Sequence, residues 1–165
     1  MLNNMEITDY ASFKLHQATA LLDRVVDNYL RTHYGIRYAP FLLLLISKVI
    51  GPATQQRLAT ALDVSRASVT QRIGALKEQG LLSVVPDPAD SRAHLVALTE
   101  AGERLVDSAW AGLDRDLAAV EEGVDERLLA AQLDRLIGNL LNVLEAQGGT
   151  QPVKARRKGS GDGTA

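Results

Sequence analysis

A chain of 165 residues with 46% apolar and 23% charged side chains has the balance of one globular domain with extensions, which excludes collagen-like and wholly disordered classes. The absence of cysteine excludes disulfide scaffolds, thiolate metal sites and thiol redox switches. The net charge of −2 is unevenly placed: residues 1–147 carry −5, whereas Lys154, Arg156, Arg157 and Lys158 against Asp162 give the tail +3.

The longest apolar run, residues 39–46, is far shorter than the roughly 20 residues that cross a bilayer, and no basic start followed by an apolar core opens the chain. A cytoplasmic protein with no membrane partner is expected. From Thr8, taken as a cap, Leu15, Ala18, Leu22, Val25 and Tyr29 step by three or four, predicting an amphipathic helix to about residue 32, broken by Gly35. A second helix is expected from Ala39-Pro40, apolar nearly all round, and stopped by Gly51-Pro52. A short helix from Thr54 to about residue 61, a turn at Leu62-Asp63-Val64 and a helix capped by Ser65 follow, the last ending at Gly80. The period then changes to that of strands: residues 81–85 and 93–98 flank Pro86-Asp-Pro-Ala-Asp-Ser-Arg92, predicting a hairpin with a long tip.

Thr99 is expected to cap a helix with the stripe Leu105, Ala109, Leu113, Leu117 and Val120. After Gly123, Leu129, Leu133, Leu136, Leu140 and Leu144 recur at close to heptad spacing. Residues 148–165 read as a disordered basic tail. The expected fold is mainly α with a two-stranded β-wing. A winged helix-turn-helix domain (36–98, helix-turn-helix 54–79, wing 81–98) joins a helical dimerisation region (8–33 and 99–147).

In the middle of the chain, Leu58, Leu62, Val64, Val69, Ile73 and Leu76 fit the shared core of a helix-turn-helix, with Ala59 small at the crossing. The second helix then turns Arg66, Ala67, Thr70, Gln71 and Gly74 outward, with Ser68 at the edge. Such a face is polar and narrow enough for a major groove about 12 Å wide. Gln pairs with adenine, Ser and Thr bond bases or phosphates, and Arg reads guanine or neutralises phosphate.

Residues 58–73, Leu76-x-x-x-Gly80-Leu-Leu82, Asp87-Pro-Ala-Asp-Ser-Arg92 and Leu98-Thr-Glu-Ala-Gly102 together resemble the MarR/SlyA family of winged helix-turn-helix regulators. The resemblance covers about residues 40–105 in motif and 8–147 in element order. It implies a homodimer built from the first, fifth and sixth helices, bound to double-stranded DNA at a pseudo-palindromic operator and acting as a repressor. DNA-binding residues would be Ser65, Arg66, Ala67, Ser68, Thr70, Gln71 and Arg72. Arg92 would reach the minor groove, oriented by Asp90. The dimer interface would hold Leu15, Leu22, Leu129, Leu133, Leu136, Leu140 and Leu144. The family also implies a small aromatic ligand between the dimer and DNA lobes, for which Phe13, His16, Tyr34, Arg37, Tyr38 and Trp110 are the candidate pocket, with Arg37 meeting a carboxylate.

The chain departs from the family in its wing. Val84 and Val85 stand where arginines are often found, and Ser91 stands where a second wing arginine is common. Residues 54–94 hold five bases and four acids, a thin footprint for a polyanion. A winged-helix protein-interaction module without DNA binding is the alternative. His16, His33 and His94 lack metal-ligand spacing, and no nucleophile elbow, phosphate loop or dinucleotide fingerprint is present, so neither a metal, a cofactor nor an enzyme is expected.

Overall fold

The computed structural model describes residues 6–148, apart from the side chain of Ser91; the expected tail lies outside them, save Gly148. A 3-10 turn at Ile7–Asp9 leads into α1 (Ala11–Tyr34), α2 (Tyr38–Ile50), α3 (Gln55–Leu62), α4 (Arg66–Glu78), β1 (Leu82–Asp87), β2 (Asp90–Leu98), α5 (Glu100–Leu117) and α6 (Glu126–Ala146). The mainly α fold with a two-stranded antiparallel wing is therefore observed.

Local signals set most boundaries. Gly35 closes α1 in the left-handed region at φ 63°. Thr54 and Ser65 each accept a backbone N–H three residues on, from Arg57 and Ser68. Asp63, at φ 51°, supplies the left-handed turn between α3 and α4. Thr99 caps α5 by accepting from the Gly102 N–H, and its hydroxyl donates to the Gly80 carbonyl at 2.6 Å, fastening the end of the α4 segment to the start of α5. Gly102 has a packing reason: a Cβ there would stand 2.2 Å from the Leu81 carbonyl oxygen.

Other boundaries move. Thr8 sits in the 3-10 turn instead of capping α1, which starts after the extended Tyr10 without a side-chain cap. The second helix begins at Tyr38, before Pro40, because Asp27 of α1 accepts the Tyr38 N–H at 2.8 Å and so caps α2 from a neighbouring helix. The fifth helix ends at Leu117, leaving Val120 outside it and exposed, and its inner face carries Val106, Ala109 and Leu113.

The wing tip is shorter than expected. Pairing runs from Leu82↔Leu98 to Pro86↔His94, then jumps to Asp87↔Asp90, leaving Pro88-Ala89 as the turn. Asp87 accepts the Ala89 N–H at 2.8 Å and closes it. The register jump puts residues 91–93 in a bulge opposite Pro86, which has no N–H to give to the ladder.

One core joins these elements. Phe41, Leu43 and Leu44 of α2, Leu58 of α3, Val69 and Leu76 of α4, Val96 of β2 and Val106 of α5 are wholly buried, with Leu30 of α1 beneath them. Ala53 exchanges both backbone hydrogen bonds with Val96, at 2.8 and 3.1 Å, which docks the wing against the entrance of α3. By contrast α6 buries no residue in the single chain: Leu129 is 48% and Leu140 52% exposed, and Leu15, Leu22 and Val25 of α1 are likewise uncovered.

Candidate nucleic-acid interface

The two helices of the helix-turn-helix are fixed from inside and bare outside. Leu58, Ala59, Val69, Ile73 and Leu76 are buried, while Leu62 and Val64 pack partly against them. That rotation leaves Arg66, Ala67, Thr70, Gln71 and Gly74 exposed on α4, with Ser68 and Arg72 half-buried at its edges. The Thr70 hydroxyl lies 2.8 Å from Oε1 of Gln55 and 2.9 Å from the Arg66 carbonyl, so this position is braced against α3. Gln55 is a residue that motif reading missed, since only the crossing of the two helices brings it to the α4 face.

The bridge from Ala53 to Val96 brings the wing alongside. Thr54, Gln55, Gln56, Arg66, Val84, Arg92 and His94 line an open groove of about 450 Å³ between the helix-turn-helix and the hairpin. Two of the predicted DNA residues, Arg66 and Arg92, thus share one groove although 26 positions separate them in the chain. Among the described residues the ion pairs are Lys14–Asp9 at 3.8 Å, Lys48–Asp107 and Arg104–Glu100. None ties up Arg57, Arg66, Arg72 or Arg92. Asp90 acts on Arg92 through the main chain: its carboxylate accepts the Arg92 N–H at 3.0 Å and holds the bulge from which the side chain projects.

The expected ligand residues do not share one cavity. Tyr38 and Trp110 line a hollow of about 300 Å³ between α1, α2 and α5, with Leu22, Val26, Phe41 and Leu113 as its apolar wall and Asp114, Glu121 and Glu126 among its other lining groups. Arg37 lines a separate depression with Asp23, Asp27 and Tyr38. Tyr34 is turned towards α5, its hydroxyl 3.0 Å from that of Ser108. Phe13 and His16 are exposed near the start of α1. Phe13 is 21 positions before Tyr34, about 31 Å along a helix. Burial, and then the nearby Asp23 carboxylate, push the Tyr38 phenol above its usual range, so at neutral pH it is an uncharged hydrogen-bonding group. No group of three or more His, Asp or Glu among the described residues is placed to hold a metal ion, and no described helix is long and apolar enough to cross a membrane.

This is a winged helix-turn-helix with a paired arginine groove beside an exposed α4 face. The MarR family model matches residues 35–93, which span α2, the helix-turn-helix and the first part of the wing. It is similar to the HTH-type transcriptional repressor NicR of Pseudomonas putida, 35% identical over 68 residues, a match spanning 41% of this chain and 43% of NicR. CouR from Rhodococcus jostii, solved with p-coumaroyl-CoA, has a TM-score of 0.72 at 25% identity, over 81% of this chain and 93% of that one. A mutant MarR from E. coli, solved with operator DNA, shares the fold with a TM-score of 0.67 at 23% identity, over 83% and 99% of the two chains.

Proposed function

We propose that the chain is a homodimeric, cytoplasmic transcriptional repressor that reads a pseudo-palindromic double-stranded operator. The observation that carries this reading is the exposed α4 face, with its Ser65-capped N-terminus and with Arg66 and Arg92 free of carboxylates in one groove. The helix N-terminus favours phosphate, Gln71 and Ser68 supply base-reading groups, and Arg92 on its bulge suits a minor groove. NicR, described as a repressor, and the MarR mutant solved on operator DNA support it. No catalytic role is assigned.

The test is binding to duplexes taken from the DNA beside the chain's own gene, with single base-pair changes across the site. Gln71→Ala is expected to cost about 1–3 kcal/mol and to relax preference at particular positions. An equal loss on every duplex would make Gln71 a backbone contact. The second reading, a protein-interaction module, is favoured by the near-balanced charge of residues 54–94 and by Val84-Val85. It predicts no salt-dependent DNA binding at all.

Ligand control belongs to the same reading, supported by the ligand in CouR. The hollow under Tyr38 and Trp110 has aromatic walls and carboxylates in its lining. A carboxylate ligand would meet like charge there, and Arg37 is not among the lining groups to offset it. The ligand is therefore an aromatic molecule without negative charge, a neutral phenol or an amine. It releases DNA only through preferential affinity for a conformation with mis-spaced α4 helices. Trp110 is the single tryptophan, so its fluorescence reports occupancy directly. Aromatic amines or phenols are expected to quench it and weaken DNA binding together. A response to aromatic carboxylates alone would overturn this assignment.

A further inference from the structure

The wing groove is lined by Arg66, Arg92 and His94 and by no carboxylate. The groove at Leu144 contains Asp63, the depression at Arg37 contains Asp23 and Asp27, and the hollow at Trp110 contains Asp114, Glu121 and Glu126. In a body whose residues 1–147 carry −5, the wing groove is thus a place where an anion meets no like charge. Gln55, the first residue of α3, lines it and is held there by Thr70 of α4.

A proton count separates the roles of these two side chains. The Thr70 hydroxyl has one hydrogen and two acceptors within reach, the Arg66 carbonyl at 2.9 Å and Oε1 of Gln55 at 2.8 Å. Both acceptors are internal, so that hydrogen is already engaged and is not offered to DNA. What Thr70 does is orient the Gln55 amide. With Oε1 turned to Thr70, Nε2 carries two hydrogens that have no acceptor among the described residues. Gln55 is also half-buried, so an amide already held in place loses little freedom on binding.

The groove itself identifies the acceptor. In the reading above, Arg66 stands on the α4 face that enters a major groove, and Arg92 reaches the adjacent minor groove. One phosphodiester strand separates neighbouring major and minor grooves. The groove that the two arginines share is the seat of that strand, and Gln55 lines it. We propose that Gln55 is a phosphate-binding residue, donating from Nε2 to the strand in the wing groove, and that Thr70 is a positioning residue that acts through it. The proposal rests on the DNA-binding reading above. A phosphate contact carries no base information. An uncharged donor releases no counterion, so Gln55 strengthens binding without steepening its salt dependence. Such a contact suits a head whose residues 54–94 hold five bases against four acids.

The parent, Gln55→Ala, Gln55→Glu, Thr70→Val, Thr70→Ser and the double variant Gln55→Ala/Thr70→Val test it. Each is checked for folding by thermal melting. Each is then titrated by fluorescence anisotropy on an operator duplex and an unrelated duplex, between about 50 and 200 mM salt. Gln55→Ala is expected to bind about tenfold more weakly on both duplexes, with the salt slope unchanged. Gln55→Glu keeps an acceptor for the Thr70 hydrogen but has none to donate, so its loss should be larger. Thr70→Val should show part of the loss and Thr70→Ser should recover it. Once Gln55 is alanine, Thr70→Val should cost nothing further. Gln55→Glu that binds like the parent would reduce the pair to a brace between α3 and α4 and overturn the proposal. Additive losses would overturn it by making Thr70 a contact of its own, and a loss confined to particular base pairs by making Gln55 a base reader. Gln55→Ala that binds like the parent overturns the phosphate contact and leaves the DNA-binding reading intact. A parent that binds neither duplex overturns both.

Discussion

Leu133→Glu combined with Leu140→Glu is expected to convert the protein to monomers or unfolded chains and to abolish operator binding. In the single chain α6 buries none of its 21 residues, yet it carries leucine at 129, 133, 136, 140 and 144. Each leucine removed from water contributes roughly 1.5–3 kcal/mol. Helix α1 repeats the pattern: Val26 and Leu30 face the body, while Leu15, Leu22 and Val25 are left uncovered. Two helices with open apolar stripes in one chain fit a two-fold interface in which each covers the other's copy. Losing it would cost more than a single contact, because two half-sites are then no longer held by one molecule. Light scattering gives the mass, and a DNA titration gives the affinity. A folded dimer that still binds DNA with both substitutions would remove α6 from the interface.

Arg92→Ala is expected to give the next largest loss, about tenfold or more, concentrated on sites whose flanks have a narrow, A·T-rich minor groove. The guanidinium has no carboxylate partner among the described residues, so it is available to DNA without breaking an ion pair. Asp90→Ala should produce a milder loss by a different route. Its carboxylate holds the Arg92 N–H and hence the shape of the bulge, so its removal loosens the platform and leaves the charge in place. Added salt should therefore narrow the gap between parent and Arg92→Ala far more than that between parent and Asp90→Ala. Arg92→Ala that binds like the parent would leave the wing idle and favour the interaction-module reading.

The features legible in the chain were those whose cause is local. Thr54, Ser65 and Thr99 cap helices by reaching three residues ahead, and Gly35 turns because it lacks a Cβ, so each leaves a mark in the sequence. The α4 face followed from spacing alone, since Val69, Ile73 and Leu76 can point inward only if Thr70 and Gln71 point out. What escaped has a tertiary cause. The cap of α2 comes from Asp27, eleven residues upstream on another helix. The hairpin bulge depends on a register jump that the turn formers 86–92 do not specify. The expected pocket joins rings and Arg37 near one helix junction, but helix length and rotation place Phe13 and His16 far up α1 and turn Tyr34 and Arg37 away from the hollow that Tyr38 and Trp110 share.

The two ends of α2 are held by different things. Its first N–H hangs on Asp27 of α1, and just beyond its last turn Ala53 is stitched to Val96 of the wing. With 13 residues the helix is about 20 Å long, and its first residue, Tyr38, lines the hollow that also holds Trp110. It is thus a rod pivoted at Asp27 and loaded at the hairpin. A tilt of about 10° at Tyr38 would swing Ala53, and the wing with it, by about 3 Å, as far as a hydrogen bond is long. On the proposed reading, a ligand that displaced Tyr38 by tilting α2 would therefore shift the Arg92 bulge by a comparable distance.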